Sequence, residues 1–179
     1  PLLVFASDQL SKSWVKSNLD QYEPVNIIGH YLRFTYCENP GMAFGIQLGS
    51  FVHILTFISA LFTFYIIYYL YKIMNDNMLL KLSIAFILGG ALGNVYDRIL
   101  MFLDPINIGG VVDFIDIGIS LSMRWYIFNI ADSALPAFVP PAIVNLSSTA
   151  YPLPPAFTVA AEIYCDEFLP ISLLTSLTI

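Results

Sequence analysis

Long uninterrupted apolar runs alternate along this chain with a short region of residue-by-residue alternation. Phe51–Tyr71 is a continuous apolar run, and about 20 such residues cross a bilayer as a helix. Its Tyr65, Tyr68, Tyr69 and Tyr71 suit a membrane interface, and His53 near the other end reads as an interfacial histidine. Leu79–Leu103 is a second expected span, in which Gly89 and Gly93 form a small-xxx-small pair that lets a neighbouring helix approach closely. Trp125 to about Ser148 is a third, disturbed by Pro136, Pro140 and Pro141. Pro1–Ala6 is too short to cross a membrane. It is expected to be the outer end of a first helix whose beginning is missing from a fragment that lacks an initiator Met. Between these runs, Ile27-Ile28, Tyr31–Tyr36 and Ala43–Ile46, separated by Gly29, Pro40-Gly41 and Gly49, predict short strands of a small sheet on the outer membrane face.

Composition agrees with the pattern. The chain is 58% hydrophobic and 11% charged over 179 residues, against about 25% charged in a typical soluble domain. All seven Lys and Arg fall before Trp125, with no basic stripe of the kind nucleic acid requires. Lys72 and Lys81 flank the loop Ile73–Leu80, which places it in the cytoplasm by the positive-inside rule. Residues 8–50 and about 104–124 then lie outside. Cys37 and Cys165 form neither a disulfide framework nor a metal-ligand pattern.

Against so apolar a background, acids in or beside the spans carry the chemistry. A carboxylate at bilayer depth costs about 2.5–3.5 kcal/mol on insertion scales, which makes Asp97, Asp113 and Asp132 functional candidates. Two carboxylates close enough to share a proton cannot both ionise, so one serves as acid while the other, as base, activates water. Asp113 follows Gly109-Gly110 and Val111-Val112, which suits an extended or reentrant piece at the membrane surface. Asp132 is expected one turn into a Trp125–Leu135 helix, with Asn129 three residues earlier on the same face as a hydrogen-bond donor. Asn94, Asp97 and Arg98 share a helical face, and Arg98 can pair with Asp97 or another acid, or grip a lipid phosphate or a carbonyl. Asp104 and Asp116 are expected to be solvated in the outer stretch. Neither a His-x-x-x-His zinc signature nor a Gly-x-Ser-x-Gly elbow occurs, so no metal or cofactor is expected.

Five blocks carry a resemblance: Asp8-Gln9-Leu10-Ser11-Lys12, Glu38-Asn39-Pro40-Gly41-Met42-Ala43-Phe44, Gly89–Arg98, Val111-Val112-Asp113-Phe114 and Phe128-Asn129-Ile130-Ala131-Asp132-Ser133. In that order they resemble the lipoprotein signal peptidases, the signal peptidase II family. The resemblance covers residues 1–133. It implies a bacterial inner-membrane, multi-pass aspartic peptidase built as a four-helix bundle, its first helix truncated and its last disturbed. Such an enzyme removes the signal peptide of diacylglyceryl-modified prolipoproteins and works near the outer face, in contact with membrane lipid, as a monomer. By motif, Asp113 and Asp132 would be the catalytic pair. Asp8, Lys12, Asn39, Gly41, Asn94, Arg98 and Asn129 would shape the site or hold substrate, and Asp97, Gly89 and Gly93 would be structural.

The pattern breaks after Ser133. Residues 134–179 hold seven of the eleven prolines and neither Lys nor Arg, and interior proline disrupts a helix. This segment is expected to be an atypical C-terminal region standing partly in place of the last span, through a frame or gene-model error or an unusual terminus. The interval Met101–Gly109 is expected to be an enlarged outer loop. Tyr96-Asp97 is also similar to the Tyr-Asp motif of presenilin-type proteases, but their Gly-x-Gly-Asp partner is absent. The non-enzyme alternative is a small ion-coupled transporter or assembly protein using the acids as a proton relay.

Overall fold

A computed structural model of the chain describes residues 1–40, 42–43, 46–47 and 52–134. Helix α1 spans Leu2–Asn18, α2 Val52–Lys72, α3 Met78–Leu103 and the short α4 Ile130–Ser133. Strands β1 (Pro24–Ile28), β2 (Leu32–Asn39) and β5 (Val111–Ile117) form an antiparallel sheet in the order β1-β2-β5. Strands β3 (Met42–Ala43) and β4 (Ile46–Gln47) pair separately. Gly41 and the Pro-rich segment 135–179 lie outside the described residues.

The two interior apolar runs become α2 and α3 nearly residue for residue. α3 is long and apolar enough to cross a membrane by length and composition. Its start is capped by Asn77, whose side chain accepts the Leu79 N–H at 2.8 Å. Ile73–Asn77 turns the chain back, and Lys81 closes that turn by donating to the Met74 carbonyl. At the other end α3 continues through Leu103, so the first three residues of the expected Met101–Gly109 loop are helix and the connection to β5 is Asp104–Gly110.

The N-terminal helix departs most from expectation. It does not end near Ala6 but runs to Asn18, carrying Asp8 and Lys12 as buried residues rather than outer-loop groups. Apolar-run counting stops at Asp8. The helix continues because Asp8 and Lys12, one turn apart, neutralise each other inside the protein. Gly89 and Gly93 on α3 face this helix. A methyl group on Gly89 would meet Val4 and the Pro1 carbonyl, and one on Gly93 would meet Asp8 and Ala131.

The second departure is at Trp125. Residues Trp125–Asn129 are extended rather than helical: Ile115 and Phe128 exchange backbone hydrogen bonds, and Trp125 donates to Ile117. Helix begins only at Ile130, after Asn129 has capped it. This edge pairing with β5 outcompetes the apolar periodicity. Beneath the sheet, Val15 of α1 packs with Val112 and Phe114 of β5, flanked by Leu19, Phe34, Tyr36, Ile115 and Ile130. Each such buried side chain contributes about 1.5–3 kcal/mol, enough to fix β5 against α1.

Candidate active site

Three elements bring the site together: the middle of α3, the start of β5 and the first turn of α4. Alternation along β5 turns Val112 and Phe114 toward α1 and Asp113 to the opposite face. Asp132 is the third residue of α4, held by a reciprocal cap. The Asn129 side chain accepts the Asp132 N–H at 2.9 Å, and Asp132 Oδ2 accepts the Asn129 N–H at 3.2 Å. The expected same-face relation of Asn129 and Asp132 is thus a capping box at a helix start, not a spacing within a helix.

Asn129 is fully buried and its amide orientation is fixed by its partners. Its oxygen accepts the backbone N–H of Asp132, so its nitrogen faces Asp113 Oδ1 at 2.7 Å, with Asn94 Oδ1 and the Val112 carbonyl at 3.2 and 3.3 Å. Asn94 is fixed the same way. Lys12 Nζ only donates, so it lies on Asn94 Oδ1 at 3.2 Å and the Asn94 nitrogen donates to Asp132 Oδ1 at 2.7 Å. Both carboxylates are therefore bound by one amide pair, backed by an ammonium. Asn39 adds a longer donation, 3.4 Å, to Asp113 Oδ2.

Asp113 is 7% exposed. Burial, joined by the nearby charge of Asp132, pushes its carboxyl up to about 8, against the counter-effects of Asn129, Lys12 and Asn39. Burial therefore favours the protonated form of Asp113.

Asp97 is not paired with Arg98. It forms a buried ion pair with Lys12 at 2.7 Å, the same distance as Lys12 to Asp8, and Gln9 donates to Asp97 Oδ1 at 3.0 Å. Asp8 in turn accepts the Ala131 N–H at 2.9 Å, tying α1 to the α4 turn. Arg98 donates to Ser59 of α2 at 2.8 Å, so it joins the two neighbouring helices. Gln9 was not singled out by sequence. Its signal was its place beside Asp8, where the helix turns it toward α3.

Asp116 is not solvated. It is 2% exposed and takes Arg33 at 2.8 Å, Arg124 at 2.6 Å and Thr35 at 3.0 Å. Burial raises its carboxyl, but the bonds from Arg124, Arg33 and Thr35 outweigh it and hold it below the ordinary range. Asp104 caps the end of α3 and accepts from Asn107. His53 is exposed and sets its ring edge-to-face on Phe102. Cys37 sits opposite Asp113 in the β2–β5 register.

Known proteins resemble this chain in sequence and fold. The family model for signal peptidase (SPase) II matches residues 1–146. A lipoprotein signal peptidase of Moorella thermoacetica is 39% identical over 134 residues, 75% of this chain and 81% of the relative. That of Psychromonas ingrahamii is 38% identical over 136 residues, 74% and 73% of the two chains. A bacterial membrane enzyme solved by the in meso method is similar in structure, with TM-score 0.66, 30% identity and coverage of 82% of this chain and 84% of that one.

Proposed function

The chain belongs to the signal peptidase II family, and from that premise we propose that Asp113 and Asp132 are its water-activating pair. It is a membrane peptidase that processes lipoproteins. Its peptidase relatives leave the ion-coupled transporter reading without support. One observation carries the catalytic proposal: an amide pair, Asn94 and Asn129, grips a carboxylate from β5 and one from α4 at 2.7 Å each.

The surroundings of the two acids divide their roles. Both oxygens of Asp132 accept hydrogen bonds, from Asn94 and from the Asn129 backbone, which suits the ionised base. Asp113 Oδ1 accepts Asn129, while Oδ2 has only the longer contact from Asn39 among the described residues, which leaves Oδ2 to carry the proton. Asp132 takes a proton from water, and the water oxygen attacks the scissile carbonyl carbon. Asp113 gives its proton to the carbonyl oxygen as the tetrahedral intermediate forms. Collapse of the intermediate breaks the C–N bond. The proton on Asp132 passes to the leaving nitrogen, and Asp113 recovers its own.

The depth of the site fits a lipid-modified substrate. From Met78 to Asn94 α3 rises about 24 Å at 1.5 Å per residue, against a hydrocarbon core of about 30 Å. With the Lys72–Lys81 turn in the cytoplasm, the acids lie just inside the outer boundary, where a diacylglyceryl cysteine is retained. The fuller reading is a monomeric four-span enzyme of a bacterial inner membrane, with α1, α2, α3 and the start at α4 as its described parts. In it Asp8 and Lys12 set the α1 side of the site and Asn39 its sheet side, while Gly41 is assigned to the site by its motif alone. Arg98 braces α3 on α2, Asp97 with Gly89 and Gly93 is structural, and residues 134–179 are an atypical Pro-rich segment standing partly in place of the last span.

The test is cleavage by the purified full chain in lipid. A prolipoprotein carrying a diacylglyceryl cysteine is expected to be cut just before that cysteine, and the same precursor without the lipid is expected to remain intact. Absence of cleavage, or cleavage indifferent to the lipid, contradicts the reading.

A further inference from the structure

Glu38 stands next to Asn39, the residue that reaches Asp113, and its carboxylate joins three separate pieces of chain. Oε1 accepts the Tyr36 hydroxyl at 2.7 Å and faces Lys16 in the last turn of α1 at 3.2 Å. Oε2 accepts the backbone N–H of Gly109 at 3.0 Å, in the connection that leads into β5. Burial raises the Glu38 carboxyl, but the Tyr36 and Lys16 contacts outweigh it and keep the group anionic, as a dual acceptor must be.

Gly109 begins the five-residue approach to Asp113. Its neighbour Gly110 lies so close to β2 that an added methyl would collide with the Asn39 carbonyl and the Pro40 nitrogen. Asn39 pairs with Val111 in register and donates to Asp113 itself. The dipeptide Glu38-Asn39 therefore holds Gly109–Asp113 at both ends: the Glu38 carboxylate at the first residue, the Asn39 amide at the last. Lys16 ties that clamp to α1, one turn beyond Lys12.

We propose that Glu38 is a positioning residue for catalysis, which sets Asp113 by accepting the Gly109 N–H rather than by its ion pair with Lys16. The inference rests on Asp113 being catalytic, as argued above. It predicts a defect in turnover rather than in substrate binding, because Glu38 acts through the strand that carries the acid.

The experiment measures cleavage of a diacylglyceryl prolipoprotein and, independently, the maleimide labelling rate of Cys37, Asp113's register partner, in a Cys165→Ser chain. Glu38→Ala is expected to lower kcat about tenfold with KM within about twofold, and to raise Cys37 labelling about fivefold. Glu38→Gln keeps an acceptor for Gly109 and is expected to stay within about threefold of the parent in both readouts. The charge swap Lys16→Glu with Glu38→Lys restores the ion pair but leaves Gly109 without an acceptor, and is expected to behave like Glu38→Ala. Full kcat in Glu38→Ala, unchanged labelling, or rescue by the swap but not by Gln overturns the proposal. A loss of folded yield without loss of kcat in the folded fraction also overturns it. Labelling that responds as expected in a parent chain that cuts no substrate leaves the positioning role standing and removes the catalytic reading instead.

Discussion

The side-chain nitrogen of Asn129 lies 2.7 Å from Asp113 Oδ1 while its side-chain oxygen accepts the Asp132 N–H at 2.9 Å. One amide thus sets the separation of the two acids. Asn129→Ala is expected to lower kcat about 10²-fold or more, the usual loss when a positioned donor leaves an active site. It also uncaps α4, at about 1 kcal/mol. Comparing kcat with thermal unfolding of the same variant checks this, since a loss of the cap alone would move only the melting temperature.

In the proposed mechanism Asp113 works by keeping its proton. Its carboxyl is raised from 3.8 to about 8, first by burial and then by the charge of Asp132. The folded chain therefore favours the protonated form, a contribution complete below about 3.8 and lost as pH rises through about 8. A pH profile of kcat is expected to fall on its alkaline side near that upper value. Asp113→Asn, which cannot ionise, is expected to melt higher than the parent at pH 8–9 and to lose most of that advantage near pH 5. Unfolding curves at both ends of the range measure it.

Lys12 is the sole cation among the described residues set between Asp8 and Asp97, 2.7 Å from each. Removing one partner from a buried ionic cluster costs about 3–5 kcal/mol, because the remaining charges lose compensation. Lys12→Met is expected to show that loss, whereas Asp97→Asn, which keeps Gln9 and one Lys12 partner, is expected to cost clearly less. Unfolding midpoints in one detergent compare the two.

Gly93 meets α1 where Asp8 approaches it. A methyl there contacts the Asp8 carboxylate and Ala131, so Gly93→Ala is expected to destabilise by about 1–3 kcal/mol through overpacking. An alanine at the exposed turn residue Gly29 has open space around it but a φ of +51°, and is expected to cost about 1 kcal/mol through backbone strain alone. Thermal unfolding of the pair separates the two causes.

Much of the site was legible before the fold. The apolar runs gave α2 and α3, and the five blocks included Asn39, Asn94 and Asn129, which the structure brings to Asp113 and Asp132. What failed did so for identifiable reasons. Hydropathy cannot see a helix that buries an ion pair, so the apolar run stops at Ala6 although Asp8, Lys12 and Val15 mark the buried face of α1. Nor can it tell an apolar strand edge from an apolar helix, so it predicts helix over Trp125–Asn129 although Phe128 pairs with Ile115. Sequence proximity suggested Arg98 for Asp97, but a partner one helix away, Lys12, took the acid. The burial of Asp116 is invisible in sequence because Arg33, 83 positions away, and Arg124 meet it only in the fold.

The most direct measurement is the cleavage rate of a diacylglyceryl prolipoprotein by Asp113→Asn and Asp132→Asn chains that insert and fold like the parent. Each substitution keeps the shape of the site and one of the two acceptor oxygens, and removes the ionisable proton. The account predicts that either one abolishes cleavage, and that the double variant is no worse than each alone, since the pair acts as a unit. Substantial turnover by either single variant would remove that residue from the catalytic pair.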